Sequence, residues 1–547
     1  MRKPVCALAA LLLSVGLVGA SPPSAGAAQP TSAQPGAAPS TTPRWLTHVQ
    51  NFPGGISGGV RAQADPQALA ARSAARSPDT APVAGAVAGG NRQINSRDSN
   101  PPLPQNETAV AVSLDNPDVA VAVANDYVSG GVAVMRTLDG AQTWTTTQVV
   151  PVFAGTRDAC SGGDPSVQYS RRDHVFYLSQ LCFFRTLAFS EVQIYVSSDN
   201  GLRWTPGRQA AVAASNFDYV KGTVDDSVFN DKELIAVDNT PGSPHYGRLY
   251  VTYTKFHMRA DGFSDYCPLQ LSFTDRVDAT NPQLTTFRHT AISPDNPGGN
   301  GTGRSANQFS YPVVEPDGSL DVGFTQEECN SSPDPHLLFQ RSSDGGRTFL
   351  PRAVQIDKPG QYRDNPDPDD LLAPTAFRAP NTISMTYSSG KLTYAYQNNI
   401  HRKVSGADIS FQQSGDNGRN WSDSTLLSTS GGAAAPNDQF MPSVTSLPGG
   451  RVYAIWYDRR LDKANHDIDT WQARSADNGR SWTSSRLSTT SWNPDTAFFT
   501  SGAFIGDYLQ VAVSSTHVYP VWTDGRNSAF ARTGIGETDI FSSVSAP

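Results

Sequence analysis

Carboxylates, arginines, a lysine and a tyrosine recur at the ends of short apolar runs along this 547-residue chain. One set directly precedes such runs: Asn106-Glu107, Gly163-Asp164-Pro165, Asp231-Lys232-Glu233, Gln308, Arg378, Gln439 and Gly506-Asp507-Tyr508. A second set directly follows them: Asn125-Asp126-Tyr127, Gln180-Leu181-Cys182, Thr254-Lys255-Phe256-His257, Gln326-Glu327-Glu328-Cys329, Gln397-Asn398-Asn399, Tyr457-Asp458-Arg459-Arg460 and Thr523-Asp524-Gly525-Arg526. Such groups exchange protons and hold polar ligands by charge-assisted hydrogen bonds. Each alone is equally suited to satisfying a strand end or channel water. Their recurrence as a set is what points to a site. No Asp/Asn spacing amounts to a calcium loop, so Ca²⁺ is allowed but no cofactor is required.

The elements that must position these groups are read from an internal repeat. Ser197–Trp204, Ser414–Trp421 and Ser475–Trp482 all fit S-x-D-x-G-x-x-W. Ser342–Phe349 ends in Phe, and Thr137–Trp144 has Ala141 where Gly is expected. In a turn between strands the hydroxyl and the carboxylate accept backbone N–H bonds, Gly takes a positive φ, and the aromatic packs beneath.

These octapeptides resemble the Asp-box, or BNR, repeat of the sialidase superfamily, and the similarity spans about residues 100–547. The resemblance implies an all-β fold, a propeller of four-stranded antiparallel blades with each box joining a blade's third and fourth strands. Seven inner hairpins are legible: 108–113 with 119–124, 166–169 with 175–178, 233–237 with 249–253, 313–315 with 320–324, 382–387 with 392–396, 443–446 with 452–456, and 509–513 with 518–522. Seven blades are therefore expected, with six, the number in true sialidases, as the alternative. The last unit has only one further strand, near 539–543, so a strand within Gly90–Asn95 is expected to close the ring and remove exposed edges.

In such a propeller both polar sets fall on the face opposite the boxes. Phe377-Arg378-Ala379-Pro380 is similar to the family's x-R-x-P motif, whose Arg grips a substrate carboxylate, although here it enters the fifth unit. The resemblance then implies Arg460 and Arg526 as partners of Arg378, with Lys255, Asp458 and Asp524 also on the binding face. It implies Tyr508 as nucleophile, Glu327 or Glu328 as its activator, and Asp126, Asp164 or Asp231 as the acid. The paired Trp456-Tyr457-Asp458 and Trp522-Thr523-Asp524 read equally well as a structural repeat. The expected function is a secreted sialidase-like exo-glycosidase acting on terminal acidic sugars of glycans. The alternatives are a non-catalytic glycan- or protein-binding propeller, and another glycosidase or a polysaccharide lyase on the same scaffold.

The N-terminus carries Arg2 and Lys3, an apolar run to Val18 and small residues through Ala27, the pattern of a signal peptide over 1–27. No other long apolar run suggests a membrane span. Residues 28–90, rich in Ala, Pro, Ser and Gly, read as a disordered linker or pro-segment, in which Arg44–Val49 docks locally; residues 91–547 are the propeller. Lys and Arg total 42 against 50 Asp and Glu, a net charge of −8. That acidity argues against nucleic acid and favours neutral or cationic ligands. Without Cys6 four cysteines remain, none in a CxxC pair. Mapped onto the polar face, they are expected to pair as Cys160–Cys182 and Cys267–Cys329.

Overall fold

All seven expected hairpins form, each as the inner half of a four-stranded antiparallel blade. The computed structural model describes residues 42–52, 54–74, 83–84, 90–96, 102–295, 305–326, 329–330, 336–357, 371–372, 377–399, 401, 406–499, 502–528 and 536–547, all within one unit, Pro39–Pro547. The proposed signal peptide and Glu327 and Glu328 lie outside the described residues. The first strands of the blades are Gln105–Val112, Ser166–Ser170, Val228–Val237, Asn307–Val314, Ile383–Ser388, Gln439–Leu447 and Gln510–Val513. The count is seven, not six.

Closure is made by the N-terminal side, as expected. Arg92–Gln93 pairs antiparallel with Asp539–Ser542 and supplies the seventh blade's outer strand. Side chains stitch neighbouring first strands together where the ladder cannot. Val110 N–H donates to Gln510 Oε1 (2.6 Å), Val444 N–H to Ser384 Oγ (2.9 Å) and Val511 N–H to Ser443 Oγ (3.1 Å). These bonds satisfy inner-edge amides that no strand covers. Apolar residues of alternating strands fill the layers between blades, as in the Phe411, Val444, Trp456 and Ala473 cluster between blades five and six.

The octapeptides make one turn. In blade five Ser414 Oγ accepts from Gly418 N–H (2.9 Å), Asp416 Oδ1 accepts from Ser414 Oγ–H (2.8 Å) and Asn420 N–H (2.9 Å), and Trp421 Nε1 donates to the Gly418 carbonyl (3.1 Å). Blades two and six repeat this around Ser197 and Ser475. Ala141, in blade one, still takes the left-handed conformation at φ 68°. Both predicted disulfides are present, with Cα separations of 5.3 Å for Cys160–Cys182 and 5.8 Å for Cys267–Cys329.

The stretch expected to be a disordered linker is corrected in part. It contains helices α1 (Arg44–Asn51), α2 (Gly58–Gln63) and α3 (Pro66–Ala74), and the docking expected of Arg44–Val49 is realised. Trp45 is buried edge-on to Phe183, 5.2 Å between centroids, and 5.5 Å from Phe229. Val49, Ile56 and Val60 complete this contact with blades two and three. Composition understated the segment because a few large side chains supply most of its burial. No helix among the described residues is long and apolar enough to cross a membrane.

Two measurements check this packing. At Gly418, with φ 75°, an added Cβ would lie 2.1 Å from the Phe339 ring of the preceding blade. Gly418→Ala should therefore cost about 3 kcal/mol, read as a lower urea midpoint. His48 is buried, with Nδ1 2.8 Å from the Gly262 carbonyl and Nε2 accepting from Ile56 N–H; Phe52 and Phe256 flank it, and the charge of Arg378 faces it. Burial foremost, with Arg378, depresses its pKa from 6.5 to about 4 against the pull of the Gly262 carbonyl. The docked segment thus binds fewer protons than the free one. Docking is full above pH 6.5 and weakens as pH falls toward 4, by up to roughly 3 kcal/mol. Protection of the amides of 42–74, relative to the intrinsic exchange rate at each pH, should fall at pH 4.5; a His48 that titrates near 6.5 sinks this account.

Candidate active site at the propeller axis

First strands enter the ring through a shared irregularity. Register shifts fall between Asn106 and Ala109, Asp231 and Leu234, Gln308 and Tyr311, and Phe440 and Ser443. At each shift one non-glycine residue is left-handed: Glu107 (φ 58°), Lys232 (54°), Phe309 (53°) and Met441 (53°). Asp164 (53°) holds the corresponding place in blade two. A bulge re-aims a side chain at a local cost of about 1–3 kcal/mol. Here the bulges direct Glu107 and Lys232 to the axis, and the left-handed backbone at Asp164 does the same in blade two without a register shift.

Lys232 Nζ lies 2.8 Å from Asp507 Oδ2 and 3.5 Å from Glu107 Oε1. Arg378 Nε donates to Asp507 Oδ1 at 3.0 Å. Arg378 is carried by Phe377–Arg378, which pairs in parallel with Gly502–Ala503 in a small sheet beyond the blades. Glu107 is held by Asn125 Nδ2 (2.6 Å) and Asp507 N–H (3.1 Å), and Asn125 Oδ1 accepts from Asp164 N–H (2.9 Å). Glu233 is buried with neither carboxylate oxygen reached by a hydrogen-bond donor among the described residues. Asp164, Lys232, Glu233, Phe309, Tyr508 and Gln510 line a cavity on the axis.

The two ends of this cluster hold protons differently. Burial opposes charge on Asp507, but Arg378 and Lys232 outweigh it and keep the carboxyl below its usual range. Burial also opposes charge on Lys232, yet Asp164, Asp507, Glu107 and Asp231 raise it above the ordinary lysine value. Glu107 and Glu233 are pushed well up, chiefly by burial, and Asp231 is pushed up to about 8 by burial and then by Asp164. Near neutral pH the axis thus carries an ionised Asp507 beside protonated acids.

Three of the residues expected to bind or react come together here with Arg378: Tyr508, Asp164 and Asp231. Tyr508, however, donates its phenol to the Pro165 carbonyl (3.1 Å), and burial, then Glu107 and Asp164, raise its pKa well above the usual value. Its ring lies beneath Lys232 Nζ, 5.0 Å from the ring centroid.

The other assignments disperse. Arg460 and Arg526 are clamped by Asp458 and Asp524 of their own blades, at 2.6 Å each. They stack on Trp471 and Phe541. Trp456 and Trp522 each donate Nε1 to the same aspartates at 2.9 Å, so this pair is the structural repeat. Asp126 accepts from Val128 N–H, Ser129 N–H and Gln148, tying its loop. Lys255 pairs with Asp295. Glu107, Lys232, Glu233 and Asp507 stand at strand entries in the sequence, but no motif there assigns them a role. Among the described residues one carboxylate–histidine group, Asp462, His466 and Asp467, has metal-ligand spacing; Asp462 already accepts the backbone N–H of both others, which accounts for it as loop closure.

The turn into α2 reaches the axis, where Ser57 N–H donates to Asp231 Oδ2 (2.7 Å) and Gly58 N–H to Asp507 Oδ2 (3.1 Å).

No protein-family model and no curated protein matches this sequence. Among solved structures the chain is similar to a Hadza microbial sialidase at 11% identity, with 91% of this chain and 98% of that one covered and a TM-score of 0.42. It is similar to the leech intramolecular trans-sialidase at 11% identity, 70% and 68% coverage and a TM-score of 0.41. It is also similar to a thermostable family-43 glycoside hydrolase at 14% identity, 63% and 98% coverage and a TM-score of 0.33.

Lys232 neutralises the axis, so Lys232→Met should cost several kcal/mol at pH 8, about 3–5 for stranding a buried partner. The freed carboxylates then take up protons that the unfolded chain does not hold. The deficit should shrink as pH falls from 8 to 5, measured by urea unfolding across that range.

Proposed function

We propose that this protein is a secreted, carbohydrate-active propeller that hydrolyses glycosidic bonds at its axis. The observation that carries this reading is the pair Asp231 and Asp507. They accept from the successive N–H groups of Ser57 and Gly58, so both face the same dipeptide. One is kept protonated near neutral pH and the other ionised. Two carboxyl groups in opposite protonation states are what glycoside hydrolysis needs. In this reading Asp231 gives its proton to the departing glycosidic oxygen. Asp507, fixed by Arg378 and Lys232, faces the positive charge that develops at the anomeric carbon, where water then adds and passes a proton back to the Asp231 carboxylate. Export is supported by the N-terminal pattern and the two disulfides.

The balance of charge speaks to the sugar. Five carboxyl groups, Glu107, Asp164, Asp231, Glu233 and Asp507, surround two cations already engaged with Asp507. A neutral or amino-bearing sugar suits that field better than an acidic one. The sialidase form, acting on terminal acidic sugars, is the second reading; Arg378 at the axis beside the Tyr508 wall favours it. The test is fluorophore release from a panel of aryl glycosides including an aryl sialoside, on the full chain and on Gly59→Val, whose side chain would crowd the axial carboxylates. Turnover of a neutral or amino sugar is expected, falling about 10²–10⁴-fold in Asp231→Asn. Turnover of the sialoside alone selects the second reading, and glycan-array binding without any turnover replaces both with a binding role.

A further inference from the structure

The segment that precedes the ring occupies the mouth of the axial site. Ser57 and Gly58 donate to Asp231 and Asp507, and Gln308 Nε2 donates to the Gly54 carbonyl at 3.2 Å. Gly59 fits because it has no side chain. A Cβ there would stand 2.7 Å from both Asp164 Oδ1 and Glu107 Oε2 and 3.0 Å from Asn125 Nδ2. A Cβ on Gly58 would meet the Phe504 ring at 2.3 Å. The peptide is therefore threaded against carboxylates at contact distance, where a bound sugar's hydroxyl or amino donors would otherwise lie.

The same segment contributes no strand to any blade. The ring is closed by Arg92–Gln93, and Val83–Ala84 adds to the edge of blade one; both lie C-terminal to α3. Every blade strand is thus retained without residues 42–74. What anchors the segment is a set of side-chain contacts on the rim: Trp45 against Phe183 and Phe229, Ala62 and Ala68 near Phe499 and Phe504, and Arg72 donating to Gln63 (2.6 Å) and to the Tyr127 carbonyl (2.9 Å).

We propose that residues 42–74 are an autoinhibitory plug, with Ser57-Gly58-Gly59 seated in the substrate position, and that the protein is latent until the segment is displaced. The plug's N–H groups also define the ligand class: the site accepts hydrogen bonds, so it takes a polyhydroxylated or amino-bearing ligand. The inference rests on the axial cluster being the functional site, as in the proposed function, but its first readout needs no substrate.

Hydrogen exchange by mass spectrometry on the full chain provides that readout, comparing the wild type with Gly59→Val, which clashes at the carboxylates, and with Trp45→Ala, which loosens the rim anchor. In both variants amides of 54–74 should exchange roughly tenfold faster or more, while blade strands such as Ala120–Asp126 keep wild-type protection. Unchanged exchange in both variants, or loosening of plug and blades together, overturns the proposal, because the segment is then part of the core. On whichever aryl glycoside is turned over, the initial rate should rise at least about tenfold in the variants with faster exchange. Equal rates in wild type and variants overturn the inhibition. Faster exchange with no glycoside turned over leaves the detachable plug standing and removes the hydrolase reading instead.

Discussion

A single ammonium group makes the axis of this propeller tenable. Lys232 Nζ, 2.8 Å from Asp507 and 3.5 Å from Glu107, sits in a space that seven-fold geometry would otherwise fill with like charges. Two carboxylates in close contact cannot both ionise in a dry site, and burial alone is severe for one. With Lys232 and Arg378 both directed at Asp507, the negative charge settles on that residue while Glu107, Asp231 and Glu233 keep their protons. The differing protonation states follow from where two cations can reach, without any special property of the individual acids.

That placement is bought with backbone strain. Left-handed conformations at Glu107, Asp164 and Lys232 cost free energy, and at Glu107 and Lys232 the repeated first-strand bulge supplies them. Met441 and Phe309 show the same bulge carrying apolar side chains on the other side of the ring. The bulge is thus a property of the architecture, and residue type at that position decides whether a blade contributes wall or chemistry. Blades one to three contribute charge; blades four and six contribute wall.

Much of this was legible in residue order. The octapeptides, the seven hairpins and the N-terminal closing strand all rest on local rules, with Gly tolerating positive φ and alternating apolar runs forming strands, so local reading suffices. Convergence on the axis was legible as well, because Glu107, Asp164, Asp231 and Asp507 stand at equivalent strand entries. Roles were less legible. Arg460 and Arg526 resemble substrate-gripping arginines in type, yet each has an aspartate two residues earlier that claims it, and only the fold shows the clamp closed within one blade. The plug escaped notice because an Ala- and Pro-rich stretch hides three helices whose stability comes from Trp45, His48 and Val60 meeting surfaces hundreds of residues away.

The pairing of Arg92–Gln93 with the last strand has a temporal meaning. Gln93 Nε2 and Asp539 Oδ1, 2.8 Å apart, are separated by 446 residues of chain. An emerging polypeptide holds its closing strand from the start but can seal the circle only after the final blade exists, so assembly is slow and strongly non-local. The helices just upstream are tethered to that closing strand. Sealing the circle therefore brings the covalently attached helices within reach of the mouth that they are proposed to cover.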